Sequence, residues 1–523
     1  MKKDYNLSLY DIKSLKKLFK NNSVVAYGNG SFFNKIKEHL KLFNLEFADI
    51  LYTQNDKIVS TSGKSYEDIA KKSAILICSS FSSEILKTLK NQKIQPKNIK
   101  IATFLVISDE ELNLYKQELA KIMQKRHKIF IQNLKGKEKI KVVFLVLLDS
   151  VWKADPVFKK MLDDPYFEPV ILVIPYTSYG EERMWEEMTK TYEYFKQKDY
   201  PTISSYNKKE DRWITLDELN TDMVFFADPH NLTRKEYYED AYLNYLSCYA
   251  GYGVNVAALR NLLQFNQIFH NTQWINFANS KFTFKCYKKY SSNKGKNAIL
   301  VGDMICETLL SKNKNKNVWK NSDGRIRIIY APHHSIEIDK NHGYGLSTFL
   351  EFAYIIQDMA IKYKKKVVWA FKPHPILKSK LYRHSNWGKE KTDDYYNFWK
   401  NQEFTQLEET EYIDLFKQSD AMIHDSASFL YEYLALKKPV LYLTHPLTKH
   451  SLNKQGKKAL NSCHYLNSPK YVDKFIFKIL NKEIFIKKEH KAFFKNNFKN
   501  LYKEKPSEKI YNIIKNNLLG NSR

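Results

Sequence analysis

The strongest constraint on the fold is a regular alternation of short apolar strands and helical patterns between Arg325 and Leu443. Predicted strands cover 325–330, 367–371, 421–424 and 439–443, and predicted helices cover 346–363, 412–418 and 427–436. Parallel strands joined through helices make right-handed crossovers. The segment is therefore predicted to form a doubly wound α/β domain, whose ligands bind beyond the carboxyl ends of the strands.

The same alternation predicts two more α/β domains upstream. Apolar runs at 24–27, 45–52, 74–78 and 99–107 indicate a small parallel sheet in an N-terminal accessory domain. After a basic, polar stretch at 121–141, a fresh set of strands begins at 142–148 and ends at 298–302. A Lys- and Asn-rich stretch at 311–317 predicts a linker or an exposed loop. The predicted domains are 1–130, 139–310 and 322–467, followed by basic helices over 468–523.

Three polar clusters follow strands of the 325–443 segment. They are Ala331-Pro332-His333-His334-Ser335, Lys372-Pro373-His374-Pro375, and His424-Asp425-Ser426-Ala427-Ser428, the last before a helix that carries Glu432. Each cluster alone could be a helix cap or a pair of surface histidines. Amides and hydroxyls at a helix start bind phosphate oxygens well. The occurrence of all three clusters at strand ends of one sheet therefore favours a phosphate-binding site.

These motifs, with Tyr412-Ile413-Asp414-Leu415-Phe416 and Lys438-Pro439-Val440, resemble the CDP-glycerol glycerophosphotransferase family of teichoic acid and capsule enzymes. The resemblance is good over about 325–446, is weaker over 141–301 and does not reach the first 130 residues. It implies two Rossmann-like domains in the glycosyltransferase-B (GT-B) arrangement, with the active site in the cleft between them.

The resemblance also implies roles for single residues. His374 corresponds to a family histidine that contacts the donor diphosphate, and we expect it to be catalytic. The helix start at Ser426 and Ser428 is expected to bind phosphate, and Glu432 the donor ribose. The remaining expected donor-binding residues are Lys372, His333, His334 and Asp425. No metal and no other cofactor is expected.

The middle domain departs from the family pattern. The family has a His-Gly-Thr motif whose histidine is thought to be the base, whereas the corresponding stretch here is Cys248-Tyr249-Ala250-Gly251-Tyr252-Gly253. Another group, such as His270, His230 or Asp228, must then serve as the base, or the acceptor chemistry differs. We take His270 as the predicted catalytic residue of this domain.

The charge balance indicates polyanionic partners. The 85 Lys and Arg residues exceed the 57 Asp and Glu residues by 28, but only nine of the basic residues are Arg. Base-edge recognition favours Arg, so the composition suits anionic lipid or phosphate better than DNA, and no nucleic acid is expected as a partner. The longest apolar run, 142–148, is too short to span a bilayer, and the first residues do not resemble a secretory signal. A cytoplasmic protein is expected.

Lysines alternate with Phe and Ile over 468–517, and two structures fit this pattern. The helices could lie in the interface of an anionic membrane, on its inner face, or could close back over the cleft with their lysines in solvent.

The predicted function is a peripheral transferase that uses a CDP-activated donor, such as CDP-glycerol or a similar polyol or sugar phosphate. It would build or modify a capsule- or teichoic-acid-like surface polysaccharide on a polysaccharide or lipid-linked acceptor. The alternatives are a GT-B glycosyltransferase that uses a nucleotide sugar and, from another class, a basic nucleic-acid-binding protein. The latter lacks a recognisable zinc finger, basic zipper or aromatic RNA-binding motif.

Overall fold

The structure is a computed structural model, and it describes residues 5–55, 57–96, 98–106, 108–251, 253–258, 261–312, 316–320, 323–337, 345–409, 412–466, 468–484, 486–499 and 501–520. The chain divides into two compact units. The first is Met1–Ile129 with Ser292–Lys294, and the second is Phe130–Ser291 with Gly295–Arg523. Parts of two predicted segments, the loop at 311–317 and the strand at 99–107, lie outside the described residues, as does Tyr252.

The N-terminal unit contains one six-stranded sheet, parallel except for its last pair. In spatial order its strands are Asn6–Ser8, Asn98–Thr103, Ser73–Ile77, Ser23–Tyr27, Asp49–Gln54 and Lys57–Ser60. The helices are Ile12–Asn21, Ser31–Lys41, Tyr66–Lys72, Ser82–Lys90 and Asp109–Leu134, and residues 130–134 of the last helix are assigned to the second unit. Helix Asp109–Leu134 includes most of the polar stretch at 121–141. The helix is amphipathic: Leu119 and Met123 are buried, and the charged residues of the stretch lie on the same helix.

The second unit begins with a seven-stranded, fully parallel sheet, which defines the middle domain. Its strands in spatial order are Ala298–Leu300, Ile275–Ala278, Leu246–Ala250, Met223–Phe226, Ile140–Val146, Phe167–Val173 and Thr202–Ser204. The main helices are Asp155–Leu162, Glu181–Lys196, Glu239–Asn244, Asn261–Phe265, Ile268–Thr272, Lys281–Tyr290 and Met304–Leu310. A two-stranded hairpin, Tyr206–Asn207 with Arg212–Trp213, follows the edge strand.

A six-stranded, fully parallel sheet forms the C-terminal domain of the same unit. Its strands in spatial order are Thr405–Leu407, Val367–Phe371, Ile326–Ala331, Ala421–His424, Val440–Leu443 and His464–Leu466. The helices are Phe349–Lys362, Leu377–Arg383, Gly388–Asn401, Ile413–Gln418, Phe429–Glu432, Thr448–Ser451 and Lys454–Ser462, and Tyr433–Leu436 is a 3₁₀-helix. The two parallel sheets confirm the predicted pair of Rossmann-like domains, and the N-terminal unit is the expected third α/β domain.

The basic C-terminal segment packs on both of these domains. It forms Pro469–Leu480, Lys488–Phe494, a π-helical turn at Lys495–Lys499, and Pro506–Leu519. Ile476 is buried in the core of the C-terminal domain, and Ile510 and Ile514 are buried in the core of the middle domain. These apolar faces are not available to a lipid interface, so the segment packs back onto the protein, closer to the second of its two predicted structures.

A glycine fixes one of these contacts. Gly302 has φ +113°, and a Cβ atom there would lie 2.9 Å from Cγ of Pro506. The first turn of helix Pro506–Leu519 can therefore approach the end of strand Ala298–Leu300 only where residue 302 has no side chain. Among the described residues, none of the helices is both long enough and apolar enough to cross a bilayer.

Candidate active site

A cleft of about 770 Å³ lies at the carboxyl ends of strands from both domains of the second unit. From the middle domain it is lined by residues after strands Ile140–Val146, Met223–Phe226 and Leu246–Ala250, and from the C-terminal domain by residues after Ile326–Ala331, Val367–Phe371 and Ala421–His424. Two doubly wound sheets that meet at such a cleft form the predicted GT-B arrangement. The candidate active site lies where ligands bind in open parallel sheets.

Three predicted histidines meet on the C-terminal side of this cleft. The ring of His334 lies 4.3 Å from that of His333 and 4.2 Å from that of His374, between ring centroids. Burial lowers the pKa of all three rings, to about 4 for His334 and to about 3 for His374. The cluster is therefore uncharged at neutral pH.

The hydrogen bonds of these rings decide which nitrogen carries the proton. Ser335 donates its backbone N–H to Nδ1 of His333 at 3.2 Å, and Ile376 donates its N–H to Nδ1 of His374 at 3.4 Å. In a neutral ring whose Nδ1 accepts, the proton sits on Nε2, which becomes a hydrogen-bond donor. One ring nitrogen from each histidine lies within 4.8 Å of the other two, close enough to suggest a metal site. Metal ligation needs an unprotonated nitrogen, so these tautomers of His333 and His374 fit phosphate oxygens better than a metal ion.

Lys372 supplies a positive charge next to the cluster. It follows strand Val367–Phe371 and donates its backbone N–H to the carbonyl of Tyr330 at 2.8 Å, which ties the two strand ends together. Its side chain lines the cleft and its charge contributes to the lowered pKa of His374. Lys380 also contributes to the lowered pKa of all three histidines. An anion would relieve this repulsion.

Asp425 lies behind the cleft surface and does not line it. Its carboxylate accepts the backbone N–H of His333 at 2.5 Å and both the N–H and the hydroxyl of Thr348, at 2.5 and 2.8 Å. Burial raises the pKa of this carboxyl to about 6, although the hydrogen bonds oppose the rise. Asp425 therefore positions the loop that carries His333, and it does not line the cleft as expected of a donor-binding residue.

Ser426 and Ser428 line the cleft, as the sequence analysis expects of donor-binding residues. Ser428 is the N-cap residue of helix Phe429–Glu432, which continues as the 3₁₀-helix Tyr433–Leu436. The helix begins two residues later than predicted and changes type after one turn. The segment before the helix nevertheless brings both serines to the cleft.

Glu432 lies at the base of the cleft and makes a contact that reaches the other domain. Tyr412 donates its phenol O–H to Glu432 at 2.7 Å, and Lys153 of the middle domain donates to the Tyr412 oxygen at 3.2 Å. Burial raises the pKa of Glu432 to about 7, and Lys153 opposes the rise. A polar chain of three residues therefore bridges the two domains beside the site.

The middle domain contributes His230 to the cleft, while His270 lies outside its lining. His270 is buried in helix Ile268–Thr272, where Nδ1 accepts the backbone N–H of Gln267 at 3.3 Å and the ring packs against Tyr249 and Tyr287. His230 donates its backbone N–H to Asp228 at 2.7 Å. Of the candidate bases, His230 is the one that a substrate in the cleft could reach.

Sequence reasoning missed several cleft residues of the middle domain, and two of them lie close to the first strand of its sheet. Asp149 and Lys153 follow strand Ile140–Val146 and line the cleft, and Asp149 pairs with Lys190 at 3.3 Å. The rule that identified the C-terminal clusters, polar residues directly after a buried strand, would have found Asp149 in Leu148-Asp149-Ser150. Lys153 lies further from the strand end and has no such signal. The role of Tyr412 depends on its contact with Glu432, 20 residues further along the chain, which no local pattern predicts.

Comparison with known proteins gives one family. Residues 280–516 match the family described as CDP-Glycerol:Poly(glycerophosphate) glycerophosphotransferase. The match takes in the whole C-terminal sheet and most of the basic C-terminal helices, beyond the 325–446 range in which the motifs are found. No curated protein matches the chain in sequence.

Several solved structures are similar to the chain. The wall teichoic acid polymerase TagF has 13% identity and a TM-score of 0.49, over 78% of this chain and 97% of that one. The UDP-GlcNAc 2-epimerase from Neisseria meningitidis, bound to UDP-GlcNAc, has 14% identity and a TM-score of 0.42, over 73% of this chain and 100% of that one.

The family match and the motifs agree on the same residues of the C-terminal domain. The match covers Lys372, His374 and Ser426 to Ser428, which the structure brings to one side of the cleft. The chain is accordingly a transferase of the kind that uses CDP-glycerol. Over residues 280–516 it matches the family described as CDP-Glycerol:Poly(glycerophosphate) glycerophosphotransferase.

Proposed function

We propose that the protein transfers glycerol phosphate from CDP-glycerol to a hydroxyl group at the end of a growing teichoic-acid- or capsule-like polymer. The observation that carries this proposal is the grouping of Lys372, His374 and the helix start at Ser426–Ser428 on one wall of the cleft. That wall offers a cation, hydrogen-bond donors and hydroxyls, which is the chemistry that a diphosphate needs. The family match over 280–516 supports a CDP-glycerol donor.

In the reaction, the acceptor oxygen attacks the β-phosphorus of the donor. A new P–O bond forms to the acceptor, the bond from the β-phosphorus to the bridging oxygen breaks, and CMP leaves with the electron pair. Negative charge grows on the α-phosphate as CMP departs. Lys372 and the Nε2–H of His374 stabilise this charge, and preorganised donors of this kind are the largest single contribution to many enzymatic rates.

The acceptor hydroxyl must lose a proton, and His230 is the proposed base. It lines the cleft from the middle domain, which faces the donor-binding wall. Asp149, also in the cleft, is held by Lys190 at 3.3 Å and by its backbone N–H to Thr191 at 3.2 Å, an arrangement suited to holding acceptor hydroxyls. His270 is left with a structural role.

Glu432 is proposed to hold the donor ribose. It lies in the cleft next to the helix start, at the distance of one helical turn from Ser428. Tyr412 fixes the carboxyl group through its O–H, so that the second oxygen can accept a ribose hydroxyl. Lys153 connects this position to the middle domain.

The proposed place of work is the inner face of an anionic membrane, where a lipid-linked polymer end is presented. The net charge of +28 supports this location. Because the apolar faces of the C-terminal helices are buried, the attraction comes from lysines on the outer surface and must weaken as salt rises.

A donor panel tests the proposed function. CDP-glycerol, UDP-glucose and GDP-mannose are incubated with the protein and an acceptor, and released nucleotides are separated by ion-exchange chromatography. CMP release from CDP-glycerol alone supports the proposal. Release of UDP or GDP without CMP would show that the cleft serves a nucleotide-sugar glycosyltransferase instead.

A further inference from the structure

A second cavity, of about 500 Å³, opens at the carboxyl edge of the middle sheet, outside the cleft. Its walls come from three places: the start of helix Glu181–Lys196, the hairpin of Tyr206–Asn207 and Arg212–Trp213, and Arg234. None of these residues belongs to a motif identified in the sequence. The family match begins at residue 280 and leaves them without a role.

Aromatic rings dominate the walls of this cavity. The rings of Trp185 and Trp213 are parallel within 7°, with centroids 5.7 Å apart. Tyr206 lies 4.7 Å from Trp185 and 5.1 Å from Trp213, at steep angles to both. All three side chains are half-buried. Each packs partly against the core of the middle domain and leaves part of its apolar surface facing the cavity.

Polar groups stand around the rings. Glu181 and Asp211 are exposed carboxylates on the rim, and the guanidinium of Arg234 lies 5.1 Å from the centre of the Trp213 ring. Nε of Arg234 is buried and has no hydrogen-bond partner among the described residues. The cavity therefore combines flat apolar surfaces with acceptors and one unsatisfied donor.

This combination selects an amphipathic, uncharged ligand. Two carboxylates against one guanidinium give the cavity a negative balance, which repels a phosphate-rich chain. A compact cation at the rings would be repelled by the guanidinium of Arg234, whereas an uncharged ligand would not. A pyranose ring has an apolar C–H face for the indole rings and hydroxyls that can donate to the carboxylates and accept from Nε of Arg234.

The position of the cavity connects it to the reaction. Helix Glu181–Lys196 presents Glu181, Met184 and Trp185 to the cavity, and Arg183, Glu187 and Lys190 to the cleft. At about 1.5 Å per residue, Glu181 and Lys190 lie about 14 Å apart along the helix. A polymer whose end is in the cleft can therefore reach the cavity within a few units.

We propose that this aromatic cavity binds a sugar residue of the acceptor chain while the end of that chain lies in the cleft. The inference rests on the proposed transferase function for the acceptor's identity, but the binding of a pyranose does not depend on turnover. The cavity would hold the acceptor between additions and favour acceptors that carry sugar over bare polyol phosphates.

Binding is tested without the donor, by saturation-transfer NMR on the full chain. The probes are methyl glucoside, methyl galactoside and methyl N-acetylglucosaminide, with glycerol 3-phosphate and choline as comparisons. At least one pyranoside should receive saturation through its C–H face, and Trp213→Ala should weaken its binding about three- to tenfold, the range for loss of one aromatic contact. Trp213→Phe keeps an aromatic packing partner for Arg234 and should retain part of the binding. Tyr471→Ala, at an exposed position of the C-terminal segment, should change nothing.

The outcomes separate this inference from the proposed function. Saturation of choline alone or of glycerol 3-phosphate alone would overturn it, as would pyranoside binding that is unchanged in a folded Trp213→Ala protein. If no CMP is released from CDP-glycerol while a pyranoside binds in a Trp213-dependent way, the proposed donor is wrong and the proposed sugar site is supported. If CMP is released but no pyranoside binds, the reverse holds.

Discussion

Tyr412 donates its phenol O–H to the buried carboxyl group of Glu432 at 2.7 Å, and the same phenol oxygen accepts a hydrogen bond from Lys153 of the opposite domain. This pair couples the donor-binding wall to the middle domain. Because Glu432 is buried with one hydrogen-bond partner of its own domain, its ionisation should affect both the stability of the fold and the occupancy of the cleft.

Glu432→Gln should change the pH dependence of stability. Burial raises the pKa of Glu432 to about 7, whereas the unfolded chain ionises near pH 4.3. Between these values the unfolded state releases its proton first, so the folded wild type loses stability as pH rises from about 4 to about 7. The Gln variant lacks this loss and keeps an acceptor for Tyr412. The free energy of unfolding of Glu432→Gln minus that of the wild type should therefore be larger at pH 8 than at pH 5, by up to about 3 kcal/mol.

Urea unfolding at the two pH values measures this difference. Glu483→Gln, at an exposed position outside the helices, serves as the control and should follow the wild type. An equal difference between wild type and Glu432→Gln at both pH values would mean that Glu432 stays ionised in the folded protein.

His374→Ala should lower turnover by about 10²-fold while the fold stays intact, because one preorganised hydrogen-bond donor to the diphosphate is lost. His384→Ala changes the same residue type in the same domain, outside the cleft, and should turn over like the wild type. Since the pKa of His374 is lowered to about 3, the wild-type rate should show no titration of this ring between pH 5 and pH 8. Initial rates of CMP release provide both measurements, and an inflection that disappears in His374→Ala would show a charged ring instead.

Alanine at each of the two middle-domain histidines should affect a different property, transfer activity for one and thermal stability for the other. His230→Ala should reduce transfer to the acceptor by about 10²-fold or more and leave CMP affinity unchanged, as expected for loss of a base. His270→Ala removes a buried ring with packed neighbours and should lower Tm with little effect on the turnover of the folded fraction. Calorimetry and single-turnover kinetics on both variants give the comparison. Full transfer activity in His230→Ala would return the role of the base to another group.

The C-terminal segment should behave as part of the core. Ile476 and Ile514 are fully buried, one in each domain core, so alanine at either position should cost about 2–5 kcal/mol of unfolding free energy. Lys474→Ala, on an exposed turn of helix Pro469–Leu480, should be near neutral. Vesicle pelleting of the same variants with graded anionic lipid separates stability from membrane attraction. If Ile476→Ala lost vesicle binding without losing stability, that side chain would face lipid.

Local sequence signals identified much of the C-terminal domain. Strands Val367–Phe371 and Ala421–His424 begin and end where the apolar runs predict, because buried parallel strands are continuous in hydrophobicity. The predicted start of the helix at 427 is two residues early, because the helix begins at Phe429 and Ser428 is in the N-cap position without a side-chain capping hydrogen bond. Proline after a strand and serine at a helix start are local signals. The clusters at Lys372 and Ser426 could therefore be predicted from the sequence.

Other features depend on contacts that no local pattern shows. His230 follows strand Met223–Phe226 and lines the cleft, whereas His270 is buried in helix Ile268–Thr272 and does not line it. That difference depends on the folded middle domain and not on the residues next to each histidine. The burial of Ile510 and Ile514 depends on a domain more than 200 residues earlier in the chain. The aromatic cavity requires a hairpin to fold against helix Glu181–Lys196, which alternation of strands and helices does not predict.

The most direct test of the central claim is to determine which bond of CDP-glycerol is broken. The protein is incubated with CDP-glycerol and an acceptor, and the products are followed by phosphorus NMR and nucleotide chromatography. The account predicts that the diphosphate signals disappear while CMP and a new phosphodiester appear in equal amounts, because the acceptor attacks the β-phosphorus. Release of CDP with glycerol on the acceptor, or of CMP with free glycerol phosphate and no phosphodiester, would contradict it.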